Sequence, residues 1–294
     1  WFLGSFQGKA QEFPYHYFSH THPVVSNPSL AAADVPLKLS FGAYNLWAGG
    51  FKPVNDYLVG FSFSPNRNRY GNLSWRQTRV GLGAILFQEE IGPFRQNRLH
   101  VMYAYHIPLS REVRLSLGVA GIVEYMNIDV NALTPADSDD PRLQTGANQS
   151  FLFDGGVGAS VWSENFRVGL SVLNLAPGEF RFSEEAASGI PLYRKFFLDG
   201  QYGFELYRNM KVEPRVTIRN SFPQELNFDG LVQLDFQLLQ VGAGYRSEQT
   251  LFFFARVPVK GFIFSYTSEN PLGSNHMMGN GHSVGVSWAP GNFL

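Results

Sequence analysis

Apolar and polar positions alternate over long stretches of this chain. From Glu112 to Tyr125, Val113, Leu115, Leu117, Val119, Val123 and Tyr125 share one face, while Arg114, Ser116, Gly118, Ala120 and Glu124 fall mostly on the other. A period of two means an extended strand with two unlike sides. A length of about ten residues or slightly more suits a tilted strand that crosses a bilayer, whereas sandwich strands are usually about five or six residues long. The pattern recurs and predicts fourteen strands, near 37–47, 56–64, 78–88, 97–107, 112–125, 150–162, 165–173, 193–206, 210–220, 226–236, 238–246, 251–258, 260–268 and 281–289. No long helical period interrupts them, and no compositional break marks a second domain.

The polar faces carry charge repeatedly. Lys195, Asp199, Gln201 and Glu205 oppose Phe196, Leu198, Tyr202, Phe204 and Leu206. Glu213, Arg215, Thr217 and Arg219 oppose Val212, Val216 and Ile218, and Asn227, Asp229, Gln233 and Asp235 oppose Leu226, Phe228, Val232 and Leu234. Such charges are costly in a dry core and tolerable in a wet or salt-bridged lumen. Tight connections (108–111, 163–164, 207–209, 236–237 and a turn around Pro258) alternate with longer ones (126–149, 174–192, 221–225 and 268–281). Short turns on one rim and long loops on the other are the arrangement of an outer-membrane barrel. The connection 65–77 breaks the alternation. Periodicity alone also allows a large soluble sandwich, with the apolar face in a core and the polar face in water.

Composition sharpens the choice. The 294 residues are 44% hydrophobic and 15% aromatic, with 30 glycines and no cysteine, and mean hydropathy is −0.13. No run of about 18 apolar residues exists, so a spanning helix is excluded. Strands with aromatic girdles and small luminal residues account for the Phe, Tyr and Gly content. Zero cysteine removes disulfide and thiolate-metal frameworks. A net charge of −1 gives no sign of a nucleic-acid partner.

Residues 1–10 read as a signal-peptide remnant: Trp1–Phe6 as the end of an apolar core and Gly8-Lys9-Ala10 before a cleavage point. Residues 11–35 then form an N-terminal periplasmic or plug segment, and 36–294 the barrel.

Several blocks resemble the PorP/SprF family of the Bacteroidetes type IX secretion system. Phe18-Ser19-His20 followed by Asn27-Pro28-Ser29-Leu30-Ala31-Ala32 is similar to its Phe-Ser-Gln segment and Asn-Pro-Ala-x-Ala-Gly box. Arg79-Val80-Gly81-Leu82-Gly83, Gly92-Pro93, Tyr103–Leu109, Arg114–Gly118, Asp140-Pro141, Gly169–Leu175 and Gly281–Trp288 follow in family order. His20, Ser29 and Ala32 depart from the family pattern, as does the order His282-Ser283. The resemblance implies a non-enzymatic outer-membrane β-barrel that assists export or surface attachment of proteins with a C-terminal signal domain, gliding adhesins included. It implies partnership with other secretion components and with outer-membrane lipid.

Individual motifs divide between chemistry and architecture. Asn27-Pro28-Ser29-Leu30 either plugs the lumen or marks the periplasmic face for a partner, or it aims the chain into the first strand, which its turn-forming residues favour. Glu90, Gly92, Pro93 and Arg95 are placed in an external loop between the third and fourth strands, where a Glu90–Arg95 pair across the turn offers a partner-binding surface. With Asn27 and Pro28 they are the candidate partner-binding residues. Asp137, Asp139 and Asp140 lack EF-hand spacing and read as a solvated acidic loop. Phe252 and Phe254 point inward, onto a plug or luminal ligand, if Phe253 faces lipid. His16, His20 and His22 lack a suitable fourth ligand for zinc. No nucleophile elbow, phosphate loop or His-Glu-x-x-His motif occurs, so no catalytic, cofactor-binding or metal-binding residue is assigned.

The sequence thus predicts an all-β antiparallel transmembrane barrel with short periplasmic turns, long extracellular loops and both termini periplasmic. Its function is expected to be binding, exporting or anchoring of secreted cargo. The alternative is a channel for small or hydrophobic solutes.

Overall fold

The computed structural model describes residues 18–46, 54–65, 78–129, 148–176, 178–182, 189–207, 210–221, 226–272 and 279–290. The expected signal remnant, His16 and the acidic run Asp137–Asp140 lie outside these residues. The strands are β1 (Leu37–Leu46), β2 (Val54–Phe63), β3 (Arg79–Ile91), β4 (Phe94–Pro108), β5 (Arg114–Ile128), β6 (Gln149–Trp162), β7 (Phe166–Leu173), β8 (Gly178–Phe180), β9 (Ile190–Leu192), β10 (Lys195–Tyr202), β11 (Phe204–Tyr207), β12 (Met210–Ser221), β13 (Leu226–Asp235), β14 (Gln240–Arg246), β15 (Thr250–Val259), β16 (Phe262–Pro271) and β17 (Gly281–Trp288). Each pairs antiparallel with its neighbours. β1 bonds both β2 and β17, and β10 bonds both β7 and β12, so the sheet closes on itself. With β10 and β11 counted as one interrupted strand, this is a closed barrel of 14 strands. β8 and β9 form a separate small hairpin inside the 174–194 connection.

The polarity is the inverse of a water-soluble protein. Val101, Val119, Leu170, Phe41, Phe264 and Val284 are each more than half exposed on the outer wall, while Arg98, His100, His106, Glu124, Arg246 and Glu269 are almost wholly buried inside. A continuous apolar exterior requires lipid around it. This removes the sandwich reading, in which the apolar face fills a core. Among the described residues no helix is long and apolar enough to cross a membrane.

Four local expectations are corrected. The loop expected between residues 88 and 97 is shorter: β3 and β4 run on to Ile91 and Phe94, paired across the tight turn expected at Gly92-Pro93. Gly92 has φ 58°, and a glycine at positive φ followed by a proline suits a II′ hairpin turn. The last narrow turn is Lys260-Gly261, at φ 46° and 84°, while Pro258 pairs with Ile263 inside β15. The β14 ladder stops at Arg256, so Pro258 sits where its missing N–H is not needed. The strand expected over 193–206 is broken at Gly203. Pro214 of β12 lies opposite the break, between the partners of Gln201 and Phe204, and cannot donate to the ladder there. Glu205, expected on the luminal face, is exposed; it lies in β11, which is bonded only to β12.

Candidate functional site

The bore is crossed by the chain's own residues 18–35. This segment has no strand partner and is built from two 3-10 turns, Pro23–Val25 and Pro28–Leu30. Each opens on a proline, whose fixed φ suits the first position of a helical turn. Asn27 caps the second: its Oδ1 accepts from the Ser29 N–H at 3.0 Å and the Ser29 hydroxyl at 2.7 Å. Asn27 and Pro28 are thereby both placed inside the barrel and buried, so the box does more than steer the chain toward β1.

The wall is shaped to receive this segment. A Cβ added to Gly81 would stand 1.9 Å from the Ala31 carbonyl oxygen, and one on Gly118 2.3 Å from the Ser29 nitrogen. Only glycine permits that approach. Polar wall groups then bind the segment. The Ser171 hydroxyl donates to Ser26 O at 2.6 Å, and Ser160 Oγ lies 2.8 Å from Ser29 Oγ. Trp162 Nε1 donates to Ser116 Oγ at 2.7 Å, Ser116 Oγ lies 2.6 Å from His106 Nδ1, and His106 Nε2 lies 3.0 Å from Ala31 O. A carbonyl only accepts, so His106 donates to Ala31 O from Nε2.

The opposite wall holds His20. Its ring lies 5.6 Å from Phe252 and 5.3 Å from Phe254, and Nε2 is 3.0 Å from Thr267 Oγ1. Its carbonyl accepts from Arg215 at 3.2 Å and from Arg256 at 2.5 Å. Phe252 and Phe254 face inward onto the N-terminal segment and Phe253 is exposed outside, as the alternation requires. The segment therefore touches β3–β7 on one side and β12, β15 and β16 on the other.

Beyond it, toward the loop rim, the bore carries paired charges: Arg98–Glu124 at 2.6 Å, Arg246–Glu269 at 2.8 Å, and Arg219 with Asp229 at 3.3 Å and Glu248 at 2.8 Å. Strand parity announced Glu124, Arg219 and Asp229 as luminal; Arg98, Arg246 and Glu269 come from strands whose faces were not assigned, and Glu248 from a turn. Which cation meets which anion depends on register, and that pairing was not readable from the sequence.

Glu90, Gly92, Pro93 and Arg95 come together at the loop rim. They line a polar cleft of about 400 Å³ with Asn127 and Gln149 among the other walls. Pro93 O accepts from the Asp129 N–H at 2.8 Å, which ties the hairpin tip to the end of β5. Arg95 reaches Glu90 at 2.9 Å, with Arg95 exposed and Glu90 partly so, so the pair itself is worth little. Asn27 and Pro28 are not part of this cleft. Among the described residues no group of carboxylates and imidazoles is arranged to hold a metal ion.

A closed antiparallel barrel with a polar interior and an apolar wall defines an outer-membrane β-barrel. The chain belongs to the PorP/SprF family of type IX secretion system membrane proteins, whose model matches residues 7–288. Among curated proteins nothing matches. The solved Pseudomonas putida toluene transporter TodX is similar in fold, with a TM-score of 0.54 at 10% identity over 92% of this chain and 93% of that one. The monoaromatic hydrocarbon channel CymD gives 0.53 at 10% identity over 91% and 92%. The Ralstonia pickettii toluene transporter TbuX gives 0.51 at 9% identity over 90% and 92%. At these identities the likeness is one of fold alone.

Proposed function

We propose that this barrel is a non-enzymatic outer-membrane component of the type IX secretion system that binds, exports or anchors secreted proteins through their C-terminal signal domain. The single observation that carries the reading is the bore crossed by residues 18–35, held to both walls. A barrel obstructed in this way acts by recognition at its rim rather than by passing solute. The cleft around Glu90, Gly92, Pro93 and Arg95 is the external recognition surface. On this reading the short-turn rim and both termini face the periplasm and the rest of the secretion apparatus.

The second reading, a channel for small hydrophobic solutes, draws support from the fold shared with hydrocarbon channels. Gene deletion separates the two. The secretion reading expects at least one protein with a type IX signal domain to vanish from the cell surface. An unchanged surface proteome with slowed uptake of an aromatic hydrocarbon would overturn it in favour of the channel.

A further inference from the structure

The wall has one strand that outruns its neighbour. β6 bonds β5 from Trp162 to Gln149, but β7 covers it only from Trp162 to Gly156. At Asn174, with φ 58°, the chain turns away, and a single bond from Leu175 N to Gly155 O at 3.1 Å ends the contact. In an antiparallel strand the N–H and C=O of alternate residues point to the same edge. Because Gly155 O points toward the β7 side, the backbone groups of Phe153 and Phe151 point there too. Among the described residues none bonds them on that side.

The hairpin β8–β9 does not fill this edge, because it lies on the inner face of β6. Arg181 N donates to Ser150 Oγ at 3.1 Å, and Ala176 N donates to Asp154 Oδ1 at 3.0 Å. On the outer face Phe151 is 58% and Phe153 76% exposed. On the inner side Asp154 Oδ2 is buried without a hydrogen-bond partner among the described residues. The edge ends at Gln149, which lines the rim cleft.

An edge whose N–H and C=O groups meet no partner among the described residues is satisfied by one kind of ligand, an extended chain. We propose that the β6 edge from Gln149 to Phe153 is the docking site for a β-strand of the secreted partner's C-terminal domain, which adds to the barrel wall there. The side chains fix the character of that strand. It presents apolar residues in phase with Phe151 and Phe153, and a lysine, arginine or hydroxyl donor on the inner side that reaches Asp154 Oδ2. The inference rests on the secretion reading and gives it an address.

The test uses the full-length barrel in lipid nanodiscs and a purified type IX C-terminal signal domain as probe. Phe153→Pro and Phe151→Pro each remove an N–H that points to the open edge and leave the β5 ladder intact. Phe153→Ala keeps the N–H and serves as the control. Each proline variant is expected to bind the domain about tenfold more weakly, as for the loss of one hydrogen bond, with the alanine variant much closer to wild type. Heat-modifiable gel migration verifies folding. Amide exchange on the wild-type protein gives a reading that needs no variant: Phe151 and Phe153 exchange fast in the barrel alone and become protected when the domain is added. A folded proline variant that binds like wild type, or amides already protected before the domain is added, overturns the edge site while the secretion reading stands. Protection that appears only as two barrels self-associate assigns the edge to a second copy and also overturns it. Failure of the wild-type barrel to bind the domain at all removes the secretion reading and this site with it.

Discussion

Arg98 and Glu124 show how single residues make this barrel. Both side chains are essentially inaccessible, and they meet at 2.6 Å across the β4–β5 ladder. Two charges withdrawn from bulk water are tolerable only as a pair with further hydrogen bonds, and Gln96 supplies one to Glu124 at 2.8 Å. Glu124→Ala leaves a buried guanidinium without that carboxylate. The expected loss is about 3–5 kcal/mol of stability, read as a lower urea midpoint in a refolding titration followed by tryptophan fluorescence. At this scale the sequence was informative about side and silent about partner. Glu124 and Arg114 could be placed in the lumen by parity. The close approach of Gly81 to Ala31 and of Gly118 to Ser29 could not, since a wall glycine reads only as a small residue until its neighbour across the bore is known.

Among the elements, strands were legible, whereas the N-terminal segment was legible only as a periplasmic or plug segment, without its turns or contacts. A strand with lipid on one side and charge on the other repeats every two residues, so all fourteen barrel strands were expected from the pattern, and a closed barrel of that number is found. The errors fall where a turn or a proline overrides the pattern. Gly92-Pro93 narrows an expected loop to a hairpin, and Pro214 splits the strand over Lys195–Tyr207. Residues 18–35 carry no period because two short 3-10 turns have none. Asn27-Pro28 was recognisable as a turn, but its burial follows from contacts more than a hundred residues away. The 174–194 connection was legible only as a loop, yet it holds the hairpin β8–β9, with Phe180 buried. Shortening this connection between Leu175 and Tyr193 spares the barrel ladders. Surface display of one cargo is expected to fall while heat-modifiable migration stays normal. Normal display after that deletion would count against recognition by this loop.

For the molecule as a whole, the inside-out distribution of polarity is the main fact. Lipid covers the outer wall, charge pairs and an N-terminal segment occupy the bore, and the rim gathers a polar cleft beside a strand edge that no described residue pairs. The family to which the chain belongs is one of type IX secretion system membrane proteins. The proposed role in recognition rather than permeation requires that residues 18–35 shut the bore. Single-channel recording in a planar lipid bilayer tests this most directly. The wild-type barrel is expected to show no steady conductance. Gly81→Val, whose side chain would collide with the Ala31 carbonyl, is expected to displace the segment and open a stable current. A wild-type barrel that conducts steadily, at a level Gly81→Val does not change, would contradict the account.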